Sequence, residues 1–307
     1  MIALFDRRPV LWHFLISFLI ASLVIVWAIF SMIRDPASAA SLSNLFNDVY
    51  AGKGYINLVT ILGAVPSDLN LLNIIVFASA PTIAAIILAA YGVNGGLGRL
   101  LGRLLPVGPD GEMRRSLILY GGLIAAYFAG LFAFDWVAGP GVNAYPRLEG
   151  FGVPILLGAL IGLFVDEGGT LEELGWRGFA WPALLAAMRS PVGAALVIGV
   201  IHWAWHLPRE VITLMSGASL VTFLTAQTVF LILTVALAVV CGFCVNMTGG
   251  SVLPAIMVHG GTNVWSKALG EYVAPSFGVL DLRTLIVVLI ALILLAFARK
   301  RLGLKDG

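Results

Sequence analysis

The chain has 307 residues, of which 60% are hydrophobic and only 11% charged, with a mean hydropathy of +1.00. A soluble domain carries about 25% charged residues, so too little polar surface exists here to clothe a water-facing globule. The formal net charge of +2, without a basic stripe interleaved with aromatics, excludes nucleic acid as a partner. The solvent this composition fits is a lipid bilayer, and the expected fold is an all-α polytopic membrane protein.

Eight apolar runs free of Asp, Glu, Lys and Arg follow one another along the chain. They are Val10–Ile33, Leu71–Val93, Leu117–Phe134, Phe151–Val165, Pro191–Leu207, Ala218–Met247, Ser251–Ser266 and Thr284–Ala298. About 20 residues are needed to span, so the shorter runs suffice only if flanking polar residues also sit at membrane depth. The first run is too long for a signal-peptide core and no convincing small-residue cleavage site follows it. The connection Arg34–Asn70 is expected to face outward, with Tyr55–Val65 re-entrant or interfacial. The glycine-rich stretch Gly92–Gly102 lacks the GK[ST] of a phosphate loop and reads as a connector. Cys241 and Cys244 lie inside an apolar run and read as buried thiols.

Basic residues set the orientation. Arg7 and Arg8 precede the first run, Arg99, Arg103, Arg114 and Arg115 follow the second, and Arg299, Lys300 and Arg301 follow the last. Eight spans place all three groups on one side, which the positive-inside rule assigns to the cytoplasm. The expectation is an integral protein of a bacterial-type cytoplasmic membrane with both termini cytoplasmic. Residues 1–116 would form two helices with a long loop and a basic connector. Residues 117–307 would form a helical core whose motifs lie within 151–267.

Charge inside a membrane is costly, so intramembrane ionisable residues are functional candidates. Three segments carry them: Leu171–Gly178 with Glu172, Glu173 and Arg177, then His202–Pro208 with His202 and His206, then His259 with Asn263. Glu173 and Arg177 are four apart and can pair on one helix face. Glu172 lies about 100° around the helix, without a local cation, and suits general-base chemistry. A purely structural charge network is the competing reading of the two glutamates. His202 and His206 share a face, as do His259 and Asn263. Glu172 and His206 lie 17 and 16 residues from a turn at Arg189-Ser190, so they meet across an antiparallel hairpin. His259 lies roughly ten residues beyond the turn Asn246–Gly250, which puts the site in the cytoplasmic half of the bilayer.

In order, spacing and context, these segments resemble the motifs of the CPBP family, the CAAX prenyl endopeptidases and bacteriocin-processing, Abi-like proteins. The family pattern is EExxxR, FxxxH and HxxxN on successive helices. Here these are Glu172-Glu173 through Arg177, a second motif ending at His206, and His259 through Asn263. The resemblance implies an intramembrane endopeptidase of about eight helices acting on a membrane-associated substrate, either a prenylated CAAX-like protein or a precursor peptide. Glu172 would activate water with help from His206, His259 and Asn263 would bind the oxyanion, and Glu173 and Arg177 would support the site. One position departs from the pattern: His202 stands where the family has Phe, adding a ligand or proton relay. Glu172, His206 and His259 could hold a zinc ion, and a metal-free glutamate mechanism is an equal expectation. The alternatives are a non-catalytic membrane scaffold of the same fold, or a proton-coupled transporter. The transporter reading lacks the inverted repeats common in that class.

Overall fold

The computed structural model describes residues 2–34, 58–66, 69–138, 160–215, 217–269, 282–298 and 302–303. Every regular element among them is helical. The first half comprises α1 (Ile2–Arg7), α2 (Pro9–Arg34), α3 (Leu58–Ala64), α4 (Leu72–Ala90), α5 (Gly96–Gly102) and α6 (Met113–Ala138). The second half comprises α7 (Glu167–Glu173), α8 (Trp181–Met188), α9 (Pro191–Met215), α10 (Leu220–Met247), α11 (Leu253–Leu269) and α12 (Leu282–Phe297). A π-helical stretch, Leu174–Ala180, joins α7 to α8.

Seven of the eight apolar runs coincide with a helix. Most of the remaining run, Phe151–Val165, lies outside the described residues, of which 160–164 are helical. So does most of the Arg34–Asn70 connection, although its apolar stretch supplies α3. Five helices are long and apolar enough to cross a membrane, namely α2, α4, α6, α9 and α10, and a shorter apolar helix covers Arg283–Phe297. The protein is an all-α, polytopic, integral membrane protein. On α2, Leu19, Leu23, Val26 and Ile33 point outward at 58–75% exposure, a surface suited to acyl chains rather than water.

Helix α9 departs from its sequence boundary. Helix α9 runs eight residues past Leu207, through Pro208, Arg209 and Glu210. Hydropathy stops at the charges, but the backbone does not, and the two charged side chains pair with each other. Pro182 falls in the first turn of α8, where its missing N–H leaves no helical hydrogen bond unmade.

The core joins α2, α4, the α7–α8 helix, α9, α10 and α12. Trp176, Trp181 and Trp205 are its largest fully buried side chains, and both cysteines are free and buried. Helices α7 and α11 cross at backbone contact. A Cβ on Gly169 would come within 2.8 Å of Gly260 N and Ile256 O, so only glycine permits this approach. Nine residues further along, Gly178 packs against Val252 at the start of α11, so the two helices run antiparallel.

One face of the bundle is knitted by backbone hydrogen bonds. Gly108 N donates to Thr248 O, Asp110 N to Gly249 O, and Val252 N to Arg103 O. Arg103 Nη1 donates to Gly250 O, and Asn246 Nδ2 to Leu302 O. The basic connector, the Asn246–Gly250 turn and residues 302–303 therefore share this face. Glu172 is six residues from Gly178 and His259 seven from Val252, so both lie about 10 Å deeper.

Candidate active site

All three charged segments converge. Glu173 is fully buried, and its Oε1 accepts Arg177 Nη1 at 2.8 Å and His259 Nδ1 at 2.8 Å. The spacing-derived ion pair is thus present, with Arg177 in the π-helical stretch directly after α7. A one-turn π segment widens the local backbone ring, a distortion frequently found at functional sites.

Glu172 faces a different set of groups. His202 Nε2 approaches Glu172 Oε2 to 2.9 Å, an ion-pair contact rather than a directed hydrogen bond. Atoms of Glu172, His202 and His206 lie within 4.8 Å of one another, and all three residues are buried. His202 Nδ1, His206 Nδ1 and Glu172 Oε2 are buried with no hydrogen-bond partner among the described residues. The hairpin count from the turn at Arg189-Ser190 paired Glu172 with His206; the structure brings His202 beside Glu172 as well.

Aromatic rings fix these imidazoles. His202 stacks on Trp176 at 5.2 Å between centroids and on His206 at 5.2 Å. His206 meets Phe230 edge-on at 5.0 Å and Trp205 at 4.5 Å. Phe77 of α4 lies against both Trp205 and His206. The position where the family pattern has Phe thus keeps its aromatic packing while adding ring nitrogens.

His259 and Asn263 are one turn apart on α11 and face the start of α7. Gly168 opens a small cradle between them. The place a Cβ would occupy there lies 3.1 Å from Asn263 Nδ2, 3.3 Å from His259 Nε2 and 3.3 Å from Asp166 Oδ2. The group whose atoms lie close enough together to hold a metal comprises Glu172, His202 and His206; in the expected trio, His259 stands in place of His202. In the structure His259 points its Nδ1 at Glu173 instead.

Two residues near the site escaped sequence reasoning. Asp166 caps α7: its Oδ2 accepts Gly169 N at 2.9 Å and Asn263 Nδ2 at 2.8 Å. An Asp immediately before a helix start is an N-cap signal, and it was available in the sequence. His13, the fourth histidine, is buried on α2, donates through Nε2 to Pro81 O at 2.9 Å, and packs on Trp176 and Phe179. It buttresses the π segment from behind and touches none of the other three histidines.

Comparison with curated proteins gives no match. Comparison with protein families matches residues 151–265 to the family described as type II CAAX prenyl endopeptidase Rce1-like. That stretch contains every residue of the buried constellation around Glu172 and Glu173 except the rings contributed by α2 and α4. Residues 151–265, which carry the three motifs, are thus similar to the CAAX-type endopeptidases of that family over a little more than a third of the chain.

Proposed function

We propose that the protein is an endopeptidase that hydrolyses a peptide bond of a membrane-associated substrate, a prenylated CAAX-like C-terminus or a precursor peptide, with Glu172 as the base. One observation carries this reading. Two adjacent buried glutamates have opposite environments: Glu173 is held by Arg177 and His259, whereas Glu172 lies against the imidazoles of His202 and His206, with no guanidinium in ion-pair contact among the described residues. A charge network serving structure alone has no use for a second, cation-poor carboxylate.

In this mechanism Glu172 takes a proton from water, with His206 and His202 holding the nucleophile in place. The hydroxide adds to the scissile carbonyl carbon, and the former carbonyl oxygen accepts hydrogen bonds from Nε2–H of His259, acting as an imidazolium whose Nδ1–H is held by Glu173, and from Asn263 Nδ2 over Gly168. Each such donor is commonly worth about 3 kcal/mol in the transition state. Collapse breaks the C–N bond, and Glu172 returns the proton to the leaving amine. Glu173 and Arg177 hold His259 in register.

The donor set also suits a metal. Two imidazoles and a carboxylate with unpartnered atoms are the chemistry of catalytic zinc sites, so Glu172, His202 and His206 would hold it. Zinc bound there would supply Lewis acidity to a water ligand. The basic face formed with Arg99, Arg103, Arg114 and Arg115 we place in the cytoplasm, with Arg7 and Arg8 and both termini, in a bacterial-type cytoplasmic membrane. The site then opens from the cytoplasmic half of the bilayer.

The test is cleavage of an internally quenched peptide ending in a farnesylated CAAX sequence, beside its unprenylated counterpart, by purified protein in detergent. Glu172→Gln and His206→Ala should abolish cleavage while the fold persists. Full activity in either variant refutes the mechanism.

A further inference from the structure

Asn263 can serve an oxyanion only if its carboxamide presents nitrogen, not oxygen, to the cradle over Gly168. Nothing in the residue itself enforces this, since rotation about the last side-chain bond exchanges the two ends. The surroundings do. Asp166 Oδ2 accepts Asn263 Nδ2 at 2.8 Å, and Arg283 Nη1 from α12 donates to Asn263 Oδ1 at 3.4 Å. An acceptor stands at one end of the amide and a donor at the other.

From this we infer that Asp166 is a positioning residue for Asn263, in addition to capping α7. The inference rests on the oxyanion role proposed above. Its structural basis is the helix crossing. The place a Cβ on Gly260 would occupy lies 3.0 Å from Asp166 Cβ and 3.0 Å from Leu163 O, so the chain entering α7 runs directly over α11. That contact delivers a buried carboxylate, at 1% exposure, to a residue 97 positions away. Asp166 spends one oxygen on two donors, the Gly169 amide and the Asn263 carboxamide. A carboxylate acceptor gives a shorter and stronger hydrogen bond than a neutral one. At the other end, Arg283 donating to Oδ1 draws electron density toward the oxygen, so the second Nδ2 hydrogen becomes a better donor. That hydrogen is the one left for the cradle shared with His259 Nε2.

The two roles of Asp166 separate by substitution. Ser and Thr cap helices about as well as Asp, but their hydroxyls are too short to reach Asn263. Asp166→Ser should therefore fold, keep KM within about twofold and lower kcat roughly tenfold or more, a share of the loss expected for one oxyanion donor. Asp166→Asn, which restores an oxygen at the same reach, should recover most of that loss. The decisive measurement is a double-mutant cycle with Asn263→Ala, using the farnesylated quenched peptide. In the Asn263→Ala background, Asp166→Ser should lower kcat no further. If Asp166→Ser does not accumulate, Asp166→Thr takes its place in the cycle.

Unchanged kcat in Asp166→Ser overturns the inference, as does an equal fall in kcat with and without Asn263. An Asn263→Ala protein with full kcat overturns the oxyanion reading and this inference with it. Failure of the wild-type protein to cleave either peptide overturns the protease reading on which both rest.

Discussion

The two adjacent glutamates should respond to substitution in opposite ways. Arg177→Met removes the guanidinium from a fully buried Glu173 and leaves that carboxylate with His259 alone. Breaking a buried pair from one side costs about 3–5 kcal/mol, because the remaining charge keeps its desolvation penalty without its partner. The surviving 2.8 Å contact from His259 puts the expected cost near the lower end, about 3 kcal/mol. For a chain of this size that lowers the thermal midpoint by roughly 10 °C. Adding Glu173→Gln removes the stranded charge, so the double variant should regain a large part of the loss. Glu172→Gln breaks no guanidinium pair and disturbs only the 2.9 Å contact from His202, so its midpoint should stay within a few degrees while kcat falls about a thousandfold. Differential scanning fluorimetry in detergent, paired with cleavage of the farnesylated peptide on the same samples, reads both effects. Equal destabilisation by Arg177→Met and by the double variant would refute the stranded-charge reasoning. A Glu172→Gln protein that melts as early as Arg177→Met would show both glutamates to be structural.

Three further outcomes follow from the geometry. Gly168→Ala should change stability little, because the helix preference for Ala, about 1 kcal/mol, is offset by contacts of 3.1–3.3 Å to Asn263, His259 and Asp166. Its Cβ would fill the cradle, so kcat should drop at least tenfold, and wild-type kcat would show that no substrate oxygen sits there. Purified protein should take up one Co²⁺ with the visible absorption of a nitrogen and oxygen ligand set, and His202→Phe should lose it while staying folded. Absence of the cobalt spectrum in the wild type, with activity unaffected by chelator, assigns the chemistry to Glu172 without metal. His13→Ala should cost about 2–4 kcal/mol by leaving a cavity behind Trp176 and Phe179. Its kcat per folded molecule should be unchanged, and a selective loss of kcat would mean that His13 has a part in the chemistry.

Much of this arrangement was legible in the sequence because its signals are local. Apolar runs mark spans, and the i, i+4 relation of Glu173 and Arg177 survives into the folded protein as a 2.8 Å pair. The hairpin count from Arg189-Ser190 brought His206 of α9 to Glu172, and it said nothing of His202 one turn earlier on the same stripe. The proximity of His202 to Glu172 depends on the helix packing around Trp176, which no periodicity reports. The π-helical turn at Leu174–Ala180 was equally silent, because one looser turn leaves the hydrophobic pattern almost intact. Asp166 was visible as a cap, but its bond to Asn263 exists only where two glycine-faced helices cross. The continuation of α9 beyond Pro208 was missed because hydropathy reports the solvent, not the backbone.

The long separation of Glu173 from His259 bears on how the protein is made. Residues 172–177 enter the membrane with two acids and one base, and the ion pair within the helix offsets only part of that charge. The imidazole that completes the set is synthesised 86 residues later. Until α11 has been threaded into the bilayer, the nascent chain has neither the second partner of Glu173 nor the two nitrogens facing Gly168. Biogenesis thus acts as a timer: the constellation stays chemically incomplete while the earlier helices are inserted, and it becomes competent only when the bundle closes around it.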